Sequence, residues 1–118
     1  MKAWKAALAA ASLLAVPVLP ALAQVRLPIV AEEAMVPSGE PGVEIYVRNK
    51  HPAGIAHFAP ARTLLFVHGA TYPASTAFDL QLGGTSFMDD LAKYGFDVYA
   101  MDLPGYGKSS RPAQMDQP

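Results

Sequence analysis

The sequence has no cysteine among its 118 residues. That absence excludes a disulfide framework, a thiolate metal site, a cysteine nucleophile and the lipidated cysteine of a lipoprotein anchor. Charge is not in excess in either direction. Nine Lys and Arg stand against ten Asp and Glu, a formal net charge of −1. Binding nucleic acid requires a basic face, and this composition offers none. No internal repeat is visible. No apolar run reaches the ~20 residues that a membrane-spanning helix needs. The length fits one small domain and excludes two.

The chain's apolar residues are unevenly placed. Residues 1–23 hold 18 of the 61 hydrophobic residues. Met1-Lys2-Ala3-Trp4-Lys5 is a short positive segment, and Ala6 to Val16 is an apolar run interrupted only by Ser12. Pro17 and Pro20 end its helical potential. Ala21-Leu22-Ala23 before Gln24 is the small-x-small pattern that a signal peptidase accepts. These features predict an export signal over 1–23 and a mature chain in the periplasm or outside the cell, with no membrane attachment after cleavage. The remainder, 24–118, carries a net charge of −3. It is about 45% hydrophobic, an ordinary globular value.

Two kinds of strand follow. Ile29 to Val36 reads as a short edge strand. Val43 to Arg48 alternates, with Val43, Ile45 and Val47 toward a core and Glu44 and Arg48 toward water. A Pro/Gly turn separates the two, and Asn49 to Pro60 reads as a loop. Thr63 to Val67 and Phe96 to Met101 are apolar on both faces, the pattern of strands buried in a parallel sheet. Between them lie a long loop, His68 to about Thr85, and a helix over Ser86 to Tyr94. Phe87, Leu91 and Tyr94 form its expected apolar stripe, Ser86 and Asp89 its capping box, Asp89 and Lys93 an i,i+4 pair, and Gly95 its stop. Strand, helix, strand in about forty residues is a βαβ unit.

In open α/β sheets, ligands bind beyond the C-terminal ends of the parallel strands. Two motifs leave from that edge. His68-Gly69-Ala70-Thr71 follows the first buried strand. Gly69 lets the backbone turn sharply, so the Ala70 amide is free to point into a cleft and donate to a developing oxyanion. A plain strand-ending turn, with His68 in a structural hydrogen bond, explains the same residues. The second motif is Asp102-Leu103-Pro104-Gly105-Tyr106-Gly107-Lys108-Ser109-Ser110. Gly107-Lys108-Ser109 matches half of a phosphate-binding loop, but Asp102 occupies the position of its first glycine. A carboxylate there opposes an anion cradle, and Pro104 removes a backbone donor. A nucleotide site is excluded on those grounds.

The two motifs, in this order around one helix, resemble the N-terminal part of an α/β-hydrolase-fold enzyme over Thr63 to about Pro112, with Val43–Arg48 as the preceding antiparallel strand. The resemblance implies an α/β fold in which antiparallel edge strands lead into a βαβ unit. It implies that Ala70 supplies an oxyanion-hole donor, with His68 and Gly69 shaping its loop. It further implies hydrolysis of an ester-like small molecule through a Ser-His-Asp/Glu triad, without metal or organic cofactor. The family's G-x-S-x-G elbow is absent. Ser86 and Ser109 each lack the second glycine, and His68 and Asp102 precede any place for a nucleophile. The expectation is therefore an incomplete domain, about the first third of a hydrolase, inactive alone. A short exported binding module without catalysis is the alternative.

Other residues carry less. His51 and His57 read as solvated loop histidines with no third ligand near them. Asp89 and Asp90 do not face each other on a helix. Ser75 and Thr76 have no base beside them and read as turn residues. Tyr72, with Phe78 and Leu82, either lines a substrate pocket or packs the long loop down.

Overall fold

The structure, a computed structural model, describes residues 27–117. The export signal expected over 1–23 lies outside the described residues. The alternating segments form an antiparallel hairpin, β1 (Ile29–Pro37) and β2 (Glu44–Pro52). The turn between them uses Gly39 and Gly42 at positive φ, +89° and +76°. β3 (Thr63–Val67), α1 (Ala74–Phe78), α2 (Phe87–Lys93) and β4 (Asp97–Met101) complete the order. The sheet reads β1-β2-β4-β3, with β4 antiparallel to β2 and parallel to β3. Antiparallel edge strands followed by a βαβ unit are what the sequence pattern implied.

Several expectations need correction. β2 runs on through Asn49–Pro52, which read as loop from composition. Both neighbours complete the ladder there: β1 pairs Glu32 with Asn49 and Ala31 with Lys50, and β4 brings Tyr99 and Val98 to the same two residues. The long loop after His68 contains α1, five residues long and too short to show a helical period. On α2, the core side is Met88 and Ala92, both fully buried, whereas Phe87 and Tyr94 are mostly exposed. Met88 and Ala92 sit one helical turn apart, a spacing that the bulkier Phe87 and Tyr94 concealed. The capping box is present: Ser86 Oγ accepts the Asp89 N–H, and Asp89 accepts the Ser86 N–H. Lys93 pairs with Asp90 rather than Asp89.

Both helices lie on one face of the sheet. Ala74 of α1 and Met88 of α2 share a core with Val98 and Ala100, and Phe66, Phe78, Leu91 and Phe96 pack around it. Phe66 stacks on Phe78 with centroids 4.8 Å apart. The opposite face carries Leu65, Tyr99 and Asn49 in one row and Val67, Met101 and Val47 in the next. Leu65 is 59% and Val67 49% exposed. β3 is therefore covered on one face rather than on two.

The helix layer is tied to β2 by charge. Lys50 is buried, with its Nζ 2.5 Å from Asp79 Oδ1 and 2.6 Å from Asp89 Oδ1. Arg48 pairs with Asp79 as well and reaches Glu33 at 2.6 Å. Ser86 Oγ donates to Asp79 Oδ1 at 2.6 Å. Arg48, expected to face water, is thus part of a half-buried network that joins β1, β2, the end of α1 and the start of α2.

Burial by itself would raise the Asp89 carboxyl. Hydrogen bonds from Lys50, Gln81 and the Ser86 N–H, with the Lys50 charge, outweigh it and lower the pKa to about 2. A carboxylate held below its unfolded value stabilises the fold above about pH 4, and that share is lost as pH falls toward 2. Asp89→Asn is expected to cost about 1–2 kcal/mol at neutral pH and to flatten the acid limb of stability between pH 4 and pH 2, read by denaturant unfolding across pH. Lys50→Met should cost about 3 kcal/mol, because it leaves two carboxylates facing each other without the ammonium.

Candidate active site

β3 and β4 are parallel, so the turns that follow them leave the sheet side by side. His68 is the first residue beyond β3, and its side chain turns back under that edge, 4% exposed. Its Nε2 accepts the Leu103 N–H at 3.0 Å, and its Nδ1 lies 2.6 Å from the Gly69 carbonyl oxygen. A backbone N–H only donates and a carbonyl only accepts, so the two contacts assign the tautomer with its proton on Nδ1. The ring also packs against Tyr106, with centroids 4.8 Å apart. Tyr106 Oη donates to the Ala70 carbonyl at 2.9 Å. The two turns are joined at both ends of the His68–Ala70 segment.

Asp102, the first residue beyond β4, is 1% exposed. Its Oδ1 accepts the Ala74 N–H at 2.7 Å, and its Oδ2 accepts the Lys108 N–H at 2.9 Å. Its own N–H donates to the Tyr46 carbonyl at 3.0 Å. Ser109 Oγ donates to the Asp102 carbonyl and accepts the Tyr46 N–H, at 2.6 and 2.8 Å. Ser110 Oγ accepts the Glu44 N–H at 3.0 Å, and its N–H returns a bond to the Glu44 carbonyl at 2.9 Å. The Lys108 amide that a phosphate would need is thus already bound to an internal carboxylate. Lys108 Nζ turns away to Glu33, 2.9 Å.

Gly107 makes this turn possible. Its φ is +51°, and a Cβ there would lie 2.0 Å from Asp102 Oδ2. Neither Ser86 nor Ser109 has a free hydroxyl: one caps α2 and accepts and donates as described, and the other bridges Asp102 to β2. Among the described residues, no cluster of three His, Asp or Glu side chains could hold a metal.

The residues singled out from the sequence fall into two groups. His68, Gly69 and Ala70 lie together at the parallel edge beside the Asp102 turn, and Gly69 and Ala70 are exposed. Among the described residues, no hydrogen bond engages the Ala70 N–H. Tyr72 and Leu82 are exposed at 61% and 69%, whereas Phe78 packs into the core, so the three do not form one pocket wall. His51 lies on β2, edge-on to Phe58 at 5.9 Å, rather than in a solvated loop, and His57 is exposed. Two contacts went unread in the sequence: the grip of Asp102 on α1 and the bond from Tyr106 to Ala70. Asp102 with two glycines and two serines in the next eight residues was a signal for the first. The second has none, because it joins residues 36 positions apart.

The Asp102 turn can be tested through its glycines. Gly107→Ala is expected to cost at least about 3 kcal/mol, combining a left-handed backbone with a clash against a buried carboxylate. Gly83→Ala is the comparison, since its φ is +62° with open space around it. It should cost about 1 kcal/mol by thermal or denaturant unfolding.

Residues 64–116 match the model of the alpha/beta hydrolase family. No curated protein matches the chain. Among solved structures, the thioesterase domain from the curacin biosynthetic pathway is similar with a TM-score of 0.49 and 25% identity, over 71% of this chain and 25% of that one. A protein described as a predicted CIB-like hydrolase, from Thermoplasma acidophilum, is similar with a TM-score of 0.51 and 21% identity, over 73% of this chain and 36% of its own. The chain therefore spans well under half the length of either structure. Over residues 64–116, from β3 through the turn beyond β4, this chain is related to the α/β-hydrolase superfamily.

Proposed function

We propose that this chain supplies the oxyanion-hole loop and one wall of the cleft in an exported hydrolase of esters or related bonds. One observation carries the proposal: Ala70 presents an N–H that no described residue engages, at the edge where β3 and β4 both end. A backbone donor fixed at that edge stabilises negative charge as it develops on a carbonyl oxygen, and such a donor is worth roughly 3–4 kcal/mol in acyl transfer. The family match over the same residues supports the assignment of the loop. The substrate is then a small ester-like molecule, and no metal or organic cofactor enters the step.

The nucleophile, acid and base come from outside these residues. Ser86 and Ser109, the two serines nearest to the elbow pattern, are already committed to capping and bridging. The 118-residue chain alone is expected to hydrolyse p-nitrophenyl acetate no faster than the uncatalysed background, and clear turnover would overturn that division of labour. Reading the DNA downstream of Pro118 in three frames should reveal G-x-S-x-G after a further apolar strand. In a protein that joins residues 1–118 to such strands, Ala70→Pro removes the N–H and should lower kcat about 10²–10³-fold with a much smaller change in KM. Export is tested separately. The chain recovered from a periplasmic fraction should begin at Gln24, and an intact Met1 would contradict the signal.

A further inference from the structure

We propose that Tyr106 is a positioning residue for the Ala70 donor, acting with His68 to fix the two peptide planes that flank Ala70. The proposal rests on the oxyanion reading of Ala70 and adds how that amide is aimed. The peptide between Gly69 and Ala70 is trans. Its carbonyl and its N–H therefore point in opposite directions within one plane. His68 Nδ1–H holds the Gly69 carbonyl at 2.6 Å, so the Ala70 N–H is directed away from the His68 ring. The next plane contains the Ala70 carbonyl, which Tyr106 Oη holds at 2.9 Å. With both planes fixed, the two soft dihedrals of Ala70 are fixed as well.

The donors that do this are themselves held. The Leu103 N–H occupies His68 Nε2 and so keeps the proton on Nδ1. Tyr106 begins the Gly107 turn: its N–H donates to the Leu103 carbonyl, and its carbonyl accepts the Ser109 N–H, both at 3.0 Å. Its ring rests on the His68 ring. The turn after β4 thereby contributes a tautomer lock through Leu103 and a hydroxyl strap through Tyr106, and both act on the turn after β3. An amide aimed before the reaction costs no reorganisation when charge develops.

The test uses the full 118-residue chain, labelled with ¹³C and ¹⁵N, with phenylphosphonate as the anionic probe. In the unmutated chain the Ala70 amide should shift downfield and saturate as the probe is added. In Tyr106→Phe, which keeps the ring on His68 and removes only the hydroxyl, the Ala70 carbonyl carbon should move upfield. The apparent Kd for the probe should rise about threefold to tenfold, the loss of one neutral hydrogen bond. The His68 ring nitrogens should keep the pattern of an Nδ1-protonated neutral imidazole, and the β4 amides should not move; a merely structural loss would change both. An unchanged carbonyl shift together with an unchanged Kd overturns the strap and leaves the oxyanion reading standing. An Ala70 amide that ignores the probe in the unmutated chain overturns the oxyanion reading, and the carbonyl shift then decides the strap alone. Should Tyr106→Phe fail to fold, the unmutated chain decides. A Tyr106 hydroxyl proton protected from water supports the strap, and fast exchange with solvent overturns it.

Discussion

The buried carboxylate of Asp102 is the constraint on which the edge beyond β3 and β4 depends. Each of its oxygens accepts a hydrogen bond, and two backbone N–H groups converge on it from segments 28 and 6 residues away. One of these begins α1 and so sets where the chain after His68 comes down. The other closes the glycine turn. Burying a charge with nothing but amides around it is costly unless each oxygen is satisfied, and here each is. The turn after β4 is therefore an anion cradle, and its anion is part of the chain. That is why a sequence resembling half of a phosphate loop has no room for a phosphate.

A second set of charges does a different task on the helix side. Lys50 stands between Asp79 and Asp89, while Arg48 spans Asp79 and Glu33. Hydrophobic contact between such short helices and the sheet is limited: five residues of α1 and seven of α2 bury Ala74, Met88 and Ala92. Ion pairs of this kind contribute little net stability over an apolar replacement, but they are directional and penalise a misplaced partner. They hold the α1–α2 connection in register against β2, and so the apolar contacts need not do so alone.

Much of the architecture was legible because it is written in local periodicities. The alternation of Val43, Ile45 and Val47, the doubly apolar Thr63–Val67 and the Ser86–Asp89 cap each specify an element from neighbouring residues. The failures share a cause. Asn49 and Lys50 look like loop residues until Asp97, Asp79 and Asp89 arrive from distant segments to satisfy them. α1 is one turn long, and Asp102 supplies from 28 residues away the bond to its first N–H. On α2 the large aromatic residues suggested the wrong face, since size marks hydrophobicity but not direction. At the candidate site the composition of the loop was readable, because His-Gly-Ala follows a strand. How the loop is held was not, because Leu103 and Tyr106 reach it only through the parallel pairing of β3 with β4.

The strand order has a consequence for how the chain acquires this shape. The β1–β2 hairpin closes over a turn of six residues, Ser38–Val43, the most local pairing in the sheet. β4 must then find β2 from about fifty residues away, pairing Val47 with Met101. Long closures are slow relative to hairpins. Asp102, Ser109 and Ser110 all engage Tyr46 or Glu44 at the start of β2, next to that pairing. The bonds that shape the edge beyond β3 and β4 therefore sit at the end of the longest closure in the sheet, where they fasten β4 to the start of β2.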